Sequence, residues 1–172
     1  MATIDDEPVG RIAALVNYGH NERYKENRGF VGFFESIDDQ AVADGLFGAA
    51  AGWLSEQGMT DVRGPMNPSM NHECGLLIEG FDRQPTFMMT YNPSYYPALW
   101  ENFGFEKVED MVSFWGHIDM LATLDPKIYE IGIQCVERFN VNLRPLNKKR
   151  FKQEVESYLN IYNQALGGTW GF

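Results

Sequence analysis

The chain has 172 residues, enough for one domain of ordinary size or one domain with part of a neighbour, and too few for two complete ones. With 44% hydrophobic and 14% aromatic residues, and with 17 Gly and 8 Pro spread along it, it can bury a sizeable core, which excludes intrinsic disorder and collagen-like repeats. Lys and Arg number 14 against 24 Asp and Glu, a formal charge of −10, so binding to nucleic acid or to anionic membranes is disfavoured unless positive charge clusters locally.

The N-terminus MATIDDE lacks the basic and apolar regions of a signal peptide, and no apolar run approaches the roughly 20 residues a bilayer span needs. The expected location is therefore the cytoplasm. Cys74 and Cys135 lack CxxC spacing, which leaves reduced thiols as the expectation, with no zinc site. Val9 to Tyr18 (VGRIAALVNY) and Gly29 to Glu35 (GFVGFFE) read as two strands joined by a polar loop. From Asp38 onward, Val42, Leu46, Ala49, Ala50, Trp53 and Leu54 recur at helical spacing, with Asp38 or Asp39 as cap and Gly58 past the end. MTDVRGP reads as a short strand, and residues 66–82 as a long ordered loop holding a turn or short helix around GLLIEG.

Thr86 to Tyr91 (TFMMTY) has strand composition, and Asn92-Pro93-Ser94 breaks it before a short helix, YYPALWENF, that stops at Gly104. Two further strands are expected, near Phe105–Val108 and across Met111–Ile118. Asp125-Pro126 opens a helix to about Glu137; FNVNLRPL follows as a strand and Lys148–Leu166 as a helix with an apolar stripe at Phe151, Val155, Tyr158, Leu159, Tyr162 and Leu166. The tail GGTWGF ends on Trp170 and Phe172 with no following element.

This order of elements is α/β, of the α+β kind, with a mixed sheet. At NPSYYPALWENFGFEKV the chain resembles the GNAT superfamily of acyl-CoA N-acyltransferases, in which a strand opens into a splayed cleft and a short helix ends in Gly-Phe. The run from Gly32 to Asp82 is similar to bacterial two-domain GNAT-like proteins, and the likeness covers most of residues 8–118. It implies a GNAT-like mixed central sheet flanked by helices that starts late, since only MATIDDEP precedes the first matching strand. Residues 1–124 would then be a truncated GNAT-like domain, 125–138 a linker helix, and 139–172 the opening strand and long helix of a second such domain. That strand and helix are expected to complete the first domain in cis or by exchange in a swapped homodimer, because each would otherwise expose apolar surface or an unpaired strand edge.

The resemblance also implies a chemistry. Such enzymes hold the acyl-CoA pyrophosphate on a Gly-rich loop at a helix N-terminus. The matching positions are Asp39, Ala41 and Ala43, none a glycine, and Asp38 and Asp39 place carboxylates where phosphates would sit. The plainer role for these aspartates is to cap the helix. The usual tyrosine general acid falls at Trp100, with Tyr91, Tyr95 and Tyr96 as nearby substitutes, and Glu35, Asp61 and Glu73 (beside His72) are the candidate bases. His20 is expected in a loop, His117 half-buried on a strand, and Cys74 as a thiol without an identifiable base. Arg63, Asn67, Asn71 and Asn92, in or beside the Asn- and Gly-rich loop, are the expected substrate-binding donors.

No metal-ligand spacing is present. The expected function is a GNAT-like acyltransferase-fold domain with a degenerate acyl-CoA site and a structural or substrate-recognising role. The alternative is an active N-acetyltransferase moving an acyl group from acetyl-CoA to a small amine; an unrelated interaction module is a third reading.

Overall fold

A computed structural model of the chain describes residues 1–167; the Trp170 and Phe172 tail lies outside the described residues. The chain divides into two compact units, Met1–Met111 and a second that begins at Val112.

The first unit is mixed α/β. Strand β1 (Ala2–Ile4) runs antiparallel to β2 (Glu7–Val16) through a two-residue turn in which Asp5 and Asp6 both take positive φ, a conformation aspartate tolerates. Helix α1 (Tyr18–Tyr24) occupies the stretch expected as a loop, because Asn17 caps it onto His20 N at 3.0 Å and Lys25 closes it in the left-handed region.

Strand β3 (Arg28–Ser36) pairs antiparallel with β2 and buries Phe30, Val31 and Phe34. Helix α2 (Gln40–Glu56) follows, capped by Asp39 onto Ala41 N at 2.8 Å and succeeded by Gly58 at positive φ. Its inward face is Ala43, Leu46, Phe47, Ala50 and Leu54; Trp53 and Ala49, expected on that face, lie outside it. Strand β4 (Asp61–Arg63) runs parallel to β3, giving the sheet order β1-β2-β3-β4. The hydrophobic core sits between this sheet, α2 and helix α3 (Tyr96–Phe103), where Phe34 stacks on Phe47 and Trp100 packs edge-on against both. Gly104 ends α3 at positive φ, as the sequence indicates.

The expected loop at 66–82 contains a small two-stranded sheet of β5 (Met66–Asn67) and β6 (Glu73–Cys74). The expected strands at 86–91, 105–108 and 111–118 are absent. TFMMTY is bent by a Met89 N to Thr86 O bond and by Met88 at positive φ, and its Phe87 is 93% exposed. β-rich composition forms a strand only where a neighbouring edge accepts it, and these segments meet none.

In the second unit, a 3₁₀ turn at Ile118–Thr123 precedes helix α4 (Pro126–Arg138), which Asp125 caps onto Lys127 N, and a 3₁₀ turn at Lys148–Arg150 leads into helix α5 (Phe151–Leu166). The strand expected at FNVNLRPL does not form, so the expected pairing of a C-terminal strand with a long helix reduces to the helix. No described residue of this unit is buried. Among the described residues, no helix is long and apolar enough to cross a membrane.

Candidate functional site

Strand β3 parts from β4 after only three paired positions, Arg28–Asp61, Gly29–Val62 and Phe30–Arg63. It is also irregular against β2, where Arg11 faces Glu35 but Ala13 faces Gly32, so β3 carries an extra residue. The extra residue falls at Phe33, whose φ of 50° turns its ring outward and leaves its N–H free of β2. Asn67 Oδ1 on β5 takes that N–H at 2.6 Å. A glycine is required next to it: a Cβ on Gly32 would overlap the Met66 carbonyl, so β5 can lie on β3 only because residue 32 has no side chain.

The divergence opens a cleft of about 340 Å³. Phe33, Phe34, Leu76 and Met88 supply its apolar wall, and Arg11, Glu35, Asn67, His72, Glu73, Asn92 and Tyr96 its polar groups. Tyr96, 4% exposed, is the hinge between wall and rim. Its hydroxyl accepts from Ser36 N at 3.0 Å and donates to Glu35 Oε2 at 2.7 Å, while Tyr95 donates to Ser36 O at 2.8 Å. The two tyrosines therefore dock the start of α3 on both backbone groups of Ser36. Burial first, and then the bond to Glu35, push the Tyr96 hydroxyl far above its ordinary pKa; burial also raises that of Tyr95, with Asp38 and Glu35 adding to it. Glu35 also faces Arg11, Nη2 to Oε1 at 3.7 Å, across the open side.

Six of the sequence candidates thus line one cleft: Glu35, Asn67, Glu73, Tyr91, Asn92 and Tyr96. Asn92 is buried, and its amide is fully engaged, accepting from Leu77 N at 2.7 Å and donating to Leu77 O and Pro93 O. It staples residues 77 and 92–93 together and thereby shapes the rim. Asn67 likewise spends its carbonyl on Phe33. Asn71 is exposed on the turn between β5 and β6, where its N–H donates to Ser69 Oγ. Arg63 lies on β4 outside the cleft lining; burial and then Arg28 hold its guanidinium below the ordinary value.

The three positions matching a phosphate loop are not arranged as one. Asp39 is spent as the cap, Ala41 is exposed, and Ala43 is fully buried in the core. Gln40 ties the first turn of α2 to α3 through Leu99 O and Asn102. Trp100, at the expected general-acid position, is 3% exposed in the core with Nε1 unpartnered. Asp61 is committed to a two-pronged pair with Arg28 at 2.7 and 3.0 Å. Burial raises the Cys74 thiol pKa, and His72 Nδ1 is bonded to Ser69 Oγ, so no thiolate–imidazole pair forms there. His20 lies on α1 beside Glu26, and His117 precedes the 3₁₀ turn it caps through Asp119 N. No group of three His, Cys, Asp or Glu side chains among the described residues is placed to hold a metal.

Sequence reasoning missed Arg11 and the bulge at Phe33. The available signal was Gly32 inside an aromatic strand, GFVGFF, since a strand-interior glycine marks a bulge or a close backbone approach.

The chain is similar to protein YghO of Escherichia coli (strain K12), 38% identical over 164 residues that make up 95% of this chain and 41% of that protein. It is also similar to the bacterial ceramide synthase of Caulobacter vibrioides (strain NA1000 / CB15N), 36% identical over 177 residues that span 100% of this chain and 44% of that one. The chain spans less than half the length of these curated relatives. No protein-family model and no solved structure matches it.

Proposed function

We propose that this chain carries the acceptor-recognising part of a GNAT-like N-acyltransferase, with a cleft that binds an amine bearing an apolar tail and with no working acyl-CoA cradle of its own. Three antiparallel strands, a helix and a parallel strand that splays from the last of them support the GNAT-like reading. A ceramide is the amide of a long-chain amino alcohol, so the name of the Caulobacter relative supports an amine with a long apolar chain as acceptor.

The observation that carries the proposal is the make-up of the cleft. Its rim holds two carboxylates, Glu35 and Glu73, against one guanidinium, Arg11, above a wall of Phe33, Phe34, Leu76 and Met88. Such a surface attracts an ammonium group and removes a hydrocarbon chain from water. By contrast, the N-terminus of α2 meets its own Asp39 carboxylate and repels a pyrophosphate.

The alternative, an active acetyltransferase in this chain, assigns the proton donor to Tyr96. The features that raise its pKa make Tyr96 a poor acid and a good fixed donor, which favours a positioning role. A thermal-shift titration of the chain with a long-chain 2-amino-1,3-diol and, separately, with acetyl-CoA separates the two. Stabilisation by the amine, lost in Glu35→Gln, and no response to acetyl-CoA is expected. Stabilisation by acetyl-CoA, or N-acetylated product seen by mass spectrometry, would overturn the proposal in favour of the active enzyme.

A further inference from the structure

Charge in this chain is segregated. Six of its 14 basic residues (Arg138, Arg144, Lys148, Lys149, Arg150 and Lys152) fall between positions 138 and 152 with no Asp or Glu among them, so the rest of the chain holds all 24 acidic residues against 8 basic ones. A strongly acidic chain therefore carries one concentrated cationic segment.

The segment is also apolar. Leu143 is 78% exposed, Leu146 55% and Phe151 60%, interleaved with the cations. Arg144 is anchored to α5 by a 2.6 Å bond to Glu154 Oε2, and Asn147 caps the following turn onto Lys149 N at 3.1 Å. Lys148, Lys149 and Arg150 are thereby held as an exposed turn immediately before α5. Helix energetics alone disfavour that placement: the N-terminus of a helix carries the positive end of its dipole, where acidic side chains stabilise and basic ones destabilise. Glu154 is the acidic side chain in the first turn of α5, and it is taken up by Arg144, so the three cations stand where a role outside the helix is to be sought.

We propose that residues 138–152 dock on an anionic lipid surface, the cations meeting headgroup phosphates and Leu143, Leu146 and Phe151 entering the upper acyl layer. Charge complementarity selects an anionic partner. The leucines select a lipid one, because aliphatic side chains gain by leaving water into hydrocarbon, whereas a nucleic-acid groove rewards cations, hydrogen-bonding groups and aromatic rings. Each Lys or Arg at an anionic bilayer contributes about a fivefold gain in partitioning, so the three consecutive cations together are worth on the order of a hundredfold.

The test is flotation of the whole chain with vesicles of equimolar phosphatidylglycerol and phosphatidylcholine, and with pure phosphatidylcholine, at low and high salt. Co-flotation with the anionic vesicles alone, reversed by salt, is expected. Lys148→Gln/Lys149→Gln/Arg150→Gln should lower it on the order of a hundredfold. Leu143→Ser/Leu146→Ser should weaken it while keeping its salt dependence; both variants should retain the far-ultraviolet circular dichroism of the parent. Failure to float with anionic vesicles, equal flotation with neutral ones, or undiminished binding by the glutamine variant would overturn the proposal. So would tighter binding to duplex DNA than to the anionic vesicles, which would make the segment a nucleic-acid surface.

Discussion

Replacing Tyr96 by Phe removes one oxygen from a site where two elements meet. The ring is 4% exposed and packs edge-on against Phe34, and phenylalanine preserves that contact. What disappears is the acceptor for Ser36 N and the donor to Glu35 Oε2. Ser36 is buried, so its N–H is left without a partner at a cost of about 1–3 kcal/mol, whereas half-exposed Glu35 recovers water at little cost. A loss of about 2 kcal/mol follows, or roughly 4–8 °C in melting temperature for a chain of this size. The pH dependence reports on the buried hydroxyl itself, whose burial and bond to Glu35 both oppose its ionisation. The folded-state pKa of Tyr96 lies above that of an unfolded tyrosine, so its contribution is complete below about pH 10 and is lost as pH rises further. Melts followed by near-ultraviolet circular dichroism from neutral to alkaline pH should show the parent and Tyr96→Phe converging above about pH 10. A deficit under 1 °C at neutral pH would refute the assigned hydrogen bonds, and a gap constant across the alkaline range would refute the burial of the hydroxyl.

Gly32→Ala should destabilise the first unit by about 2–4 kcal/mol in urea titration, because the added methyl meets the Met66 backbone, which cannot step aside as a flexible side chain would. Asn92→Ala should cost about 2–4 kcal/mol and speed tryptic cleavage at Arg83, since three hydrogen bonds to 77 and 93 are lost from a buried amide. Arg28 holds the Asp61 carboxyl below its usual range, so this pair stabilises above about pH 4 and fades as pH falls through the folded value. Asp61→Asn should flatten the acid limb of the stability curve by less than about 1 kcal/mol, the carboxylate being half exposed and screened; an unchanged acid limb would place the acid sensitivity elsewhere.

What the sequence makes legible is what local chemistry decides. The cap at Asp39, the left-handed Gly58 and Gly104, and Asp125-Pro126 opening α4 each follow from a few adjacent residues, and α2, α3 and α4 form where those signals place them. Strands at 9–18 and 29–35 were equally readable. The failures are long-range. TFMMTY and FNVNLRPL have strand composition, but a strand also needs a partner edge, and no property of either segment reports whether one is near. The same distinction applies to the cleft. Glu35, Asn67, Asn92 and Tyr96 are identifiable as candidates, yet their convergence depends on an extra residue in β3 that only the register against β2 reveals.

The bulge ties the cleft to the proposed function. A regular β3 would send the Phe33 N–H to β2, leave Asn67 without its donor, and let β5 continue beside β3 as an ordinary sheet neighbour. With the extra residue, the strand tips Phe33 outward, Gly32 admits the Met66 carbonyl, and Glu35 emerges on the same side as Tyr96. One insertion in the ladder therefore produces the apolar wall, the carboxylate and its fixed hydrogen-bond donor together. Nothing comparable occurs at the N-terminus of α2, where Asp39, Gln40 and buried Ala43 are each consumed by folding. A cleft that keeps shape and charge for an amine, beside a helix N-terminus consumed by folding, is what the proposed acceptor-recognising role requires.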